Sequence, residues 1–180
     1  AVAELAVLDK IKPVLEEGRS ARSIEFTDEE QKIVKSLFLL TTKPILYVAN
    51  VAEDEVADSD TNHYVQAVRN FAAEENAEVI VVSARAEEEI AELDEEDKAE
   101  FLEALGIEES GLDQLIRAAY DLLGLATYFT AGEQEVRAWT FKKGIKAPQA
   151  AGIIHSDFER GFIRAETVSF EDLDHYGNMH

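Results

Sequence analysis

The 180-residue sequence has no cysteine, only three prolines, and one tryptophan. Without cysteine there is no disulfide, no thiolate nucleophile and no cysteine-type zinc site, and a reducing, cytoplasmic location is expected. Bases are scarce: 17 Lys and Arg face 38 Asp and Glu, for a formal net charge of -21 at pH 7. Long hydrophobic runs are missing too. The most apolar stretch, residues 33 to 51, is interrupted by Lys35, Ser36, Thr41, Thr42, Lys43 and Pro44, so no membrane span is expected from it. The opening AVAELAV has neither a charged n-region nor a cleavage site, and a secretory route is not expected. It also begins without Met, inside a helical pattern, so the chain is expected to be a segment of a longer protein.

What is present suits a globular chain: 46% of residues are hydrophobic, enough for one ordinary domain or two small ones. The charge is unevenly spread. Residues 131 to 180 carry eight acids and six bases, and the 30 remaining acids face 11 bases in the first 130 residues. An acidic surface repels phosphate backbones, so contact with nucleic acid is expected only from the C-terminal part. Runs such as Glu87-Glu88-Glu89 and Asp94-Glu95-Glu96-Asp97 read as solvated helix faces.

Val2, Leu5, Leu8, Ile11 and Leu15 recur at helical spacing, and Gly18 marks a stop. Thr27 with Glu30 forms a capping box for a second helix from about 28 to 40, with Ile33, Val34, Leu37, Phe38 and Leu40 as its apolar stripe. Ile45 to Ala49 and Glu78 to Val82 have the continuous apolar character of strands buried on both faces, and a helical pattern from Tyr64 to Ala72 lies between them. Strand, helix, strand with a crossover of this length predicts a parallel α/β unit, whose ligands bind at the carboxyl ends of the strands. Residues 86 to 124 read as helical. After that, β-branched and aromatic residues predict strands at Thr127 to Thr130, Glu135 to Phe141 and Phe162 to Val168, with a short helix near Ala147 to Ile154. The expected division is 1–42, 43–125 and 126–180.

The two strand ends carry Asn50-Val51-Ala52-Glu53 and Ser83-Ala84-Arg85. An Asn offers a purine edge both an acceptor and a donor, and a carboxylate three residues on accepts hydrogens from a base. The bland alternative is a loop cap, with Asn50 bonded to local backbone and Glu53 opening a helix. Small residues and backbone N–H groups in the Ser-Ala-Arg loop would complete a pocket for a flat base.

These motifs, with VVSARAEEEIAELDEED, GLDQLIRAAYDLLGLATYFTAG and EVRAWTFKKGIKAPQAAGIIHSDFERGFIRAETVSFEDL, closely resemble the YchF family of Obg-related P-loop NTPases. The resemblance implies an α/β fold: the C-terminal part of a nucleotide-binding G domain, preceded by the second half of a helical coiled-coil insertion in residues 1 to 42. A β-grasp TGS domain would follow from residue 126, incomplete at its C-terminal end. It implies that Asn50, the Val51 backbone, Glu53, Ser83 and Ala84 form the base half of a pocket for ATP or GTP, with Mg2+ in the full-length protein. The family's Asn-x-x-Glu replaces the Asn-Lys-x-Asp of ordinary GTPases. A longer acidic side chain displaces the acceptor that makes a strict guanine reader reject adenine, so ATP is expected in preference to GTP. The TGS resemblance implies docking on the ribosome or its RNA, with Arg137, Lys142, Lys143 and Lys146 as candidate contacts and no DNA specificity.

No G-x-x-x-x-G-K-S/T phosphate loop occurs in the 180 residues, so no NTPase activity is expected of this chain alone. A non-enzymatic ribosome-docking adaptor built on a degenerate G domain is the competing reading. His63, His155, His175 and His180 form no ligand spacing, and His155 is expected to be structural. Ser83 lacks the elbow and histidine of a nucleophile. Trp139 and Phe141 among Arg137, Lys142 and Lys143 read as an RNA-stacking strand or as core. The apolar stripe of a single helical arm favours self-association of the isolated chain.

Overall fold

The computed structural model describes residues 2–132 and 134–177, which divide into two compact units, Ala1–Leu122 and Leu123–His180. In the first unit, α1 (Val2–Glu16) and α2 (Asp28–Ser36) pack through a small core of Val7, Ile11, Ala21 and Val34. The capping box is present: Thr27 N–H donates to Glu30 Oε2 at 2.9 Å, and Glu30 N–H donates to Thr27 Oγ1 at 3.3 Å. The stripe expected on α1 is split. Ile11 joins Val7 in the core, and Val2, Leu5, Leu8 and Leu15 remain exposed. The buried pair is four residues apart, one helical turn, and that face meets α2.

The second helix is shorter than its apolar letters suggest. It ends at Ser36, Phe38 has a φ of 51° and is 87% exposed, and exposed Leu40 lies in a 3-10 turn, Leu40–Thr42. A chain that must turn back toward Pro44 cannot continue the helical stripe.

Strands β1 (Leu46–Asn50) and β2 (Glu78–Val82) pair in parallel, with α3 (His63–Glu74) as the crossover. Three helices follow: α4 (Ala84–Glu92), α5 (Glu95–Leu105) and α6 (Gly111–Leu122). Tyr47 of β1 meets Phe71 of α3 edge-on at 6.0 Å, whereas Val82 of β2 meets the start of α6. Alternation along the strands therefore puts α3 and α6 on opposite faces of the pair. The strands are not buried throughout: Val48 is exposed, because on its face of the pair α6 packs mainly on β2 rather than on β1.

In the second unit, β3 (Leu125–Ala131) and β4 (Val136–Lys142) form an antiparallel hairpin in which Tyr128 faces Trp139. Helix α7 (Ala147–Ile154) packs on this face, with Tyr128 donating its hydroxyl to the Ala150 carbonyl at 2.8 Å. Helix α8 (Ser156–Arg160) folds closely against α7, where a Cβ on Gly152 would lie 2.6 Å from the Glu159 carboxylate. The His155 ring caps α8 by accepting the Asp157 N–H at 3.2 Å, a structural role. The strand expected at Phe162 to Val168 is not formed. Extended backbone becomes a strand only by pairing, and among the described residues nothing pairs there; α9 (Phe170–Tyr176) comes next.

Candidate functional site

Parallel pairing releases both chains from the same edge of the sheet, so the two motifs meet. Asn50 is the register partner of Val82, and the ladder runs one step further, with Val51 N–H donating to the Val82 carbonyl at 2.9 Å. Ser83, only 2% exposed, is the N-cap of α4, and its hydroxyl oxygen accepts the Ala86 N–H at 3.4 Å. The Ala84 N–H is one of the unpaired donors at the start of α4, and it donates to Asn50 Oδ1 at 2.9 Å. This N–H is therefore engaged rather than free. The contact orients the Asn50 amide, whose Nδ2 group keeps two donors for a ligand.

Glu53 opens a 3-10 turn, Glu53–Glu55, and its Oε2 lies 3.6 Å from Arg85 Nε. Glu55 braces the turn: one oxygen accepts the Ala52 N–H and the other the Asn62 Nδ2, both at 3.3 Å. Asn62 in turn caps α3 through the N–H groups of Tyr64 and Val65. Asn50, Val51, Glu53, Ser83, Arg85 and Leu105 line one cleft of about 480 Å3, within the range that holds a nucleoside-sized ligand. Ala84 does not line it; its contribution is the hydrogen bond that steadies Asn50.

The four basic candidates are not brought together. Arg137 lies on the Trp139 face of the hairpin with its guanidinium 4.2 Å above the indole ring, a cation–π contact. Trp139 also donates its ring N–H to Thr130 Oγ1 at 2.9 Å, so the ring is half-buried and held in place rather than an open stacking platform. Lys142 is five residues along β4, about 17 Å away, and on the opposite face. Exposed Lys142, Lys143 and Lys146 group instead around the connection between β4 and α7.

The family model YchF-GTPase_C, described as a protein of unknown function (DUF933), matches residues 125–180. The ribosome-binding ATPase YchF of Bacillus subtilis is 69% identical over 179 residues, covering 99% of this chain and 49% of the relative. The protein of the same name from Escherichia coli O157:H7 is 52% identical over 176 residues, covering 98% of this chain and 48% of the relative. The structure of the Schizosaccharomyces pombe YchF GTPase superposes with a TM-score of 0.82 at 36% identity, over 96% of this chain and 46% of that one. The chain belongs to the YchF family.

It spans about half the length of the YchF relatives it matches. Among the described residues no group of three or more His, Asp or Glu could hold a metal ion, and none is assigned to Mg2+. No described helix is long and apolar enough to cross a membrane.

Several supports of this candidate site were not legible in the motifs. Glu87, read as part of a solvated run, accepts the N–H groups of Gly111 at 2.6 Å and Leu112 at 3.2 Å, capping α6 with a negative charge where the helix dipole favours one. Gly111 is required at this approach, because a Cβ there would lie 2.7 Å from Val82 Cγ1. Leu105 reaches the cleft from the end of α5, and no local pattern marks it. On the far side of the sheet, Glu75 accepts from Arg22 Nη1 at 3.0 Å and from the Tyr47 hydroxyl at 2.7 Å, tying the segment after α1 to β1. Hydrogen bonds from Ser20 and then Tyr47, with the Arg22 charge, hold the Glu75 carboxyl below its usual range. The bond to Glu75 pushes the Tyr47 hydroxyl up.

Proposed function

We propose that this chain provides the base-recognising half of a purine-nucleotide site in a ribosome-associated ATPase, with Asn50 as donor to the base edge and Glu53 as the acidic group beside it. The observation that carries this reading is the bond from Ala84 N–H to Asn50 Oδ1, which orients the amide at the lip of a cleft also lined by Glu53 and Ser83. The bacterial relatives are named ribosome-binding ATPases and the fission-yeast protein a GTPase, in keeping with a base site that tolerates either purine; the longer acidic side chain of Glu53 is the proposed reason for favouring adenine. No residue here is assigned to phosphoryl transfer. Mg2+ and the phosphate contacts of ATP lie outside this proposal.

Isothermal calorimetry on the intact gene product tests the reading. Asn50→Ala is expected to weaken binding of ATP and GTP about tenfold or more, by loss of the donor and of the bond that orders the Ser83-Ala84 loop. Unchanged affinity for both nucleotides overturns it.

The second unit, resembling a TGS domain, is proposed to dock on the ribosome through Lys142, Lys143 and Lys146 at the β4–α7 connection. The paired charge reversal Lys142→Glu, Lys143→Glu is expected to abolish ribosome co-sedimentation. An Asn50→Ala chain should still sediment with ribosomes. The exposed Val2, Leu5, Leu8 and Leu15 on α1 support self-association of the isolated chain.

A further inference from the structure

Arg85 follows the Ser83-Ala84 loop directly and forms part of the cleft wall. Its Nε lies between two carboxylates, 3.6 Å from Glu53 Oε2 and 3.4 Å from Glu89 Oε1. Glu89 is one helical turn further along α4, where it accepts the Arg85 Nε–H and biases the exposed guanidinium toward the lip of the cleft.

Guanine presents two neighbouring donors, N1–H and the exocyclic amine, and a carboxylate accepts them best with both oxygens free. Adenine presents the N1 lone pair and a C2–H at the same edge. A carboxylate facing adenine loses its water and gains no hydrogen from the base, which costs affinity. Whatever else donates to that carboxylate therefore sets the balance between the two purines.

We infer that Arg85 is a specificity-determining residue: by engaging the Glu53 carboxylate from the protein side, it makes adenine acceptable and competes with guanine for the same oxygens. The inference deepens the base-site reading and rests on it. It explains why a carboxylate can stand at this position without enforcing guanine. Side-chain exposure is 33% for Glu53 and 77% for Arg85, so the pair is weakened by solvent and adjusts the choice of base without governing binding as a whole.

The test is a set of dissociation constants for ATP and GTP on the intact gene product and its variants. Arg85→Ala is expected to shift the ATP:GTP affinity ratio about fivefold toward GTP, the size of an exposed ion pair. Arg85→Lys should retain part of the wild-type ratio. In a Glu53→Ala background, Arg85→Ala should change the ratio no further, because its effect runs through that carboxylate. If Arg85→Ala moves both nucleotides by the same factor, or neither, while Asn50→Ala still weakens both, the Arg85 assignment is wrong and the base site stands. If Asn50→Ala binds both nucleotides as the wild type does, the base site fails and this inference with it.

Discussion

Asn50 and Ala84, 34 residues apart in the chain, are joined at 2.9 Å by a bond from the backbone N–H of one loop to the side-chain oxygen of the other. It satisfies a donor that the start of α4 would otherwise leave unpaired, and it fixes which end of the Asn50 amide faces the cleft. Substitution with aspartate separates these two tasks. Asn50→Asp keeps the acceptor for Ala84 and removes the Nδ2 donor, so thermal stability should stay within about 0.5 kcal/mol of the wild type. Nucleotide affinity should nevertheless fall about as far as in Asn50→Ala. Melting curves and calorimetry on one preparation check both.

Gly111 touches the strand end that carries Ser83. Gly111→Ala would place a methyl 2.7 Å from Val82 Cγ1 and 3.0 Å from the Glu87 carboxylate, forcing α6 away from β2. Overpacking of this kind costs about 1–3 kcal/mol. The urea midpoint should drop accordingly, and nucleotide affinity should drop with it because Val82 is the register partner of Asn50. A variant with the wild-type midpoint would show that the helix has room there.

Phe38 makes the opposite prediction. Its φ of 51° lies in the left-handed region, which costs a bulky L-residue about 1 kcal/mol or more, and the side chain is 87% exposed, so little packing offsets it. Phe38→Gly should raise stability by about 1 kcal/mol, seen as a melting temperature about 2–4 °C higher. A lower melting temperature would mean that the Phe38 ring is packed against something in solution.

The Arg22–Glu75–Tyr47 contact predicts a pH dependence with two ends. Because Glu75 titrates below its ordinary value of 4.5, its contribution to stability is present above that pH and is lost as pH falls through the folded value. Tyr47 titrates above its ordinary value of 10.0, so its contribution is full below pH 10 and is lost as pH rises through the folded value. Glu75→Gln should weaken both dependences in urea titrations across pH. Identical profiles for the variant and the wild type would mean that the contact contributes nothing to folding.

Features that depend on neighbours in the chain were legible in the sequence. The Thr27–Glu30 capping box, the parallel strand–helix–strand unit and the two strands on either side of Gly132 are written in residue spacing, and the structure contains each. The family was legible for the same reason, since it is carried by contiguous motifs. Features that depend on what stands opposite were not. Phe162 to Val168 has the composition of a strand but no pairing partner among the described residues, and Phe38 and Leu40 have the letters of a helix stripe but lie beyond the helix end.

The sequence by itself determined which residue types stand at the two strand ends: an amide, a carboxylate, and two small residues followed by an arginine. Only the tertiary structure decided how they are used. It joins Asn50 to Ala84, places Arg85 against Glu53, brings Leu105 to the cleft and turns Glu87 from a solvated acid into the cap of α6. The physical reason is that hydrogen bonds and ion pairs act over a few ångströms of space, whatever the separation along the chain. Parallel strand pairing is what brings residues 34 apart to within that range.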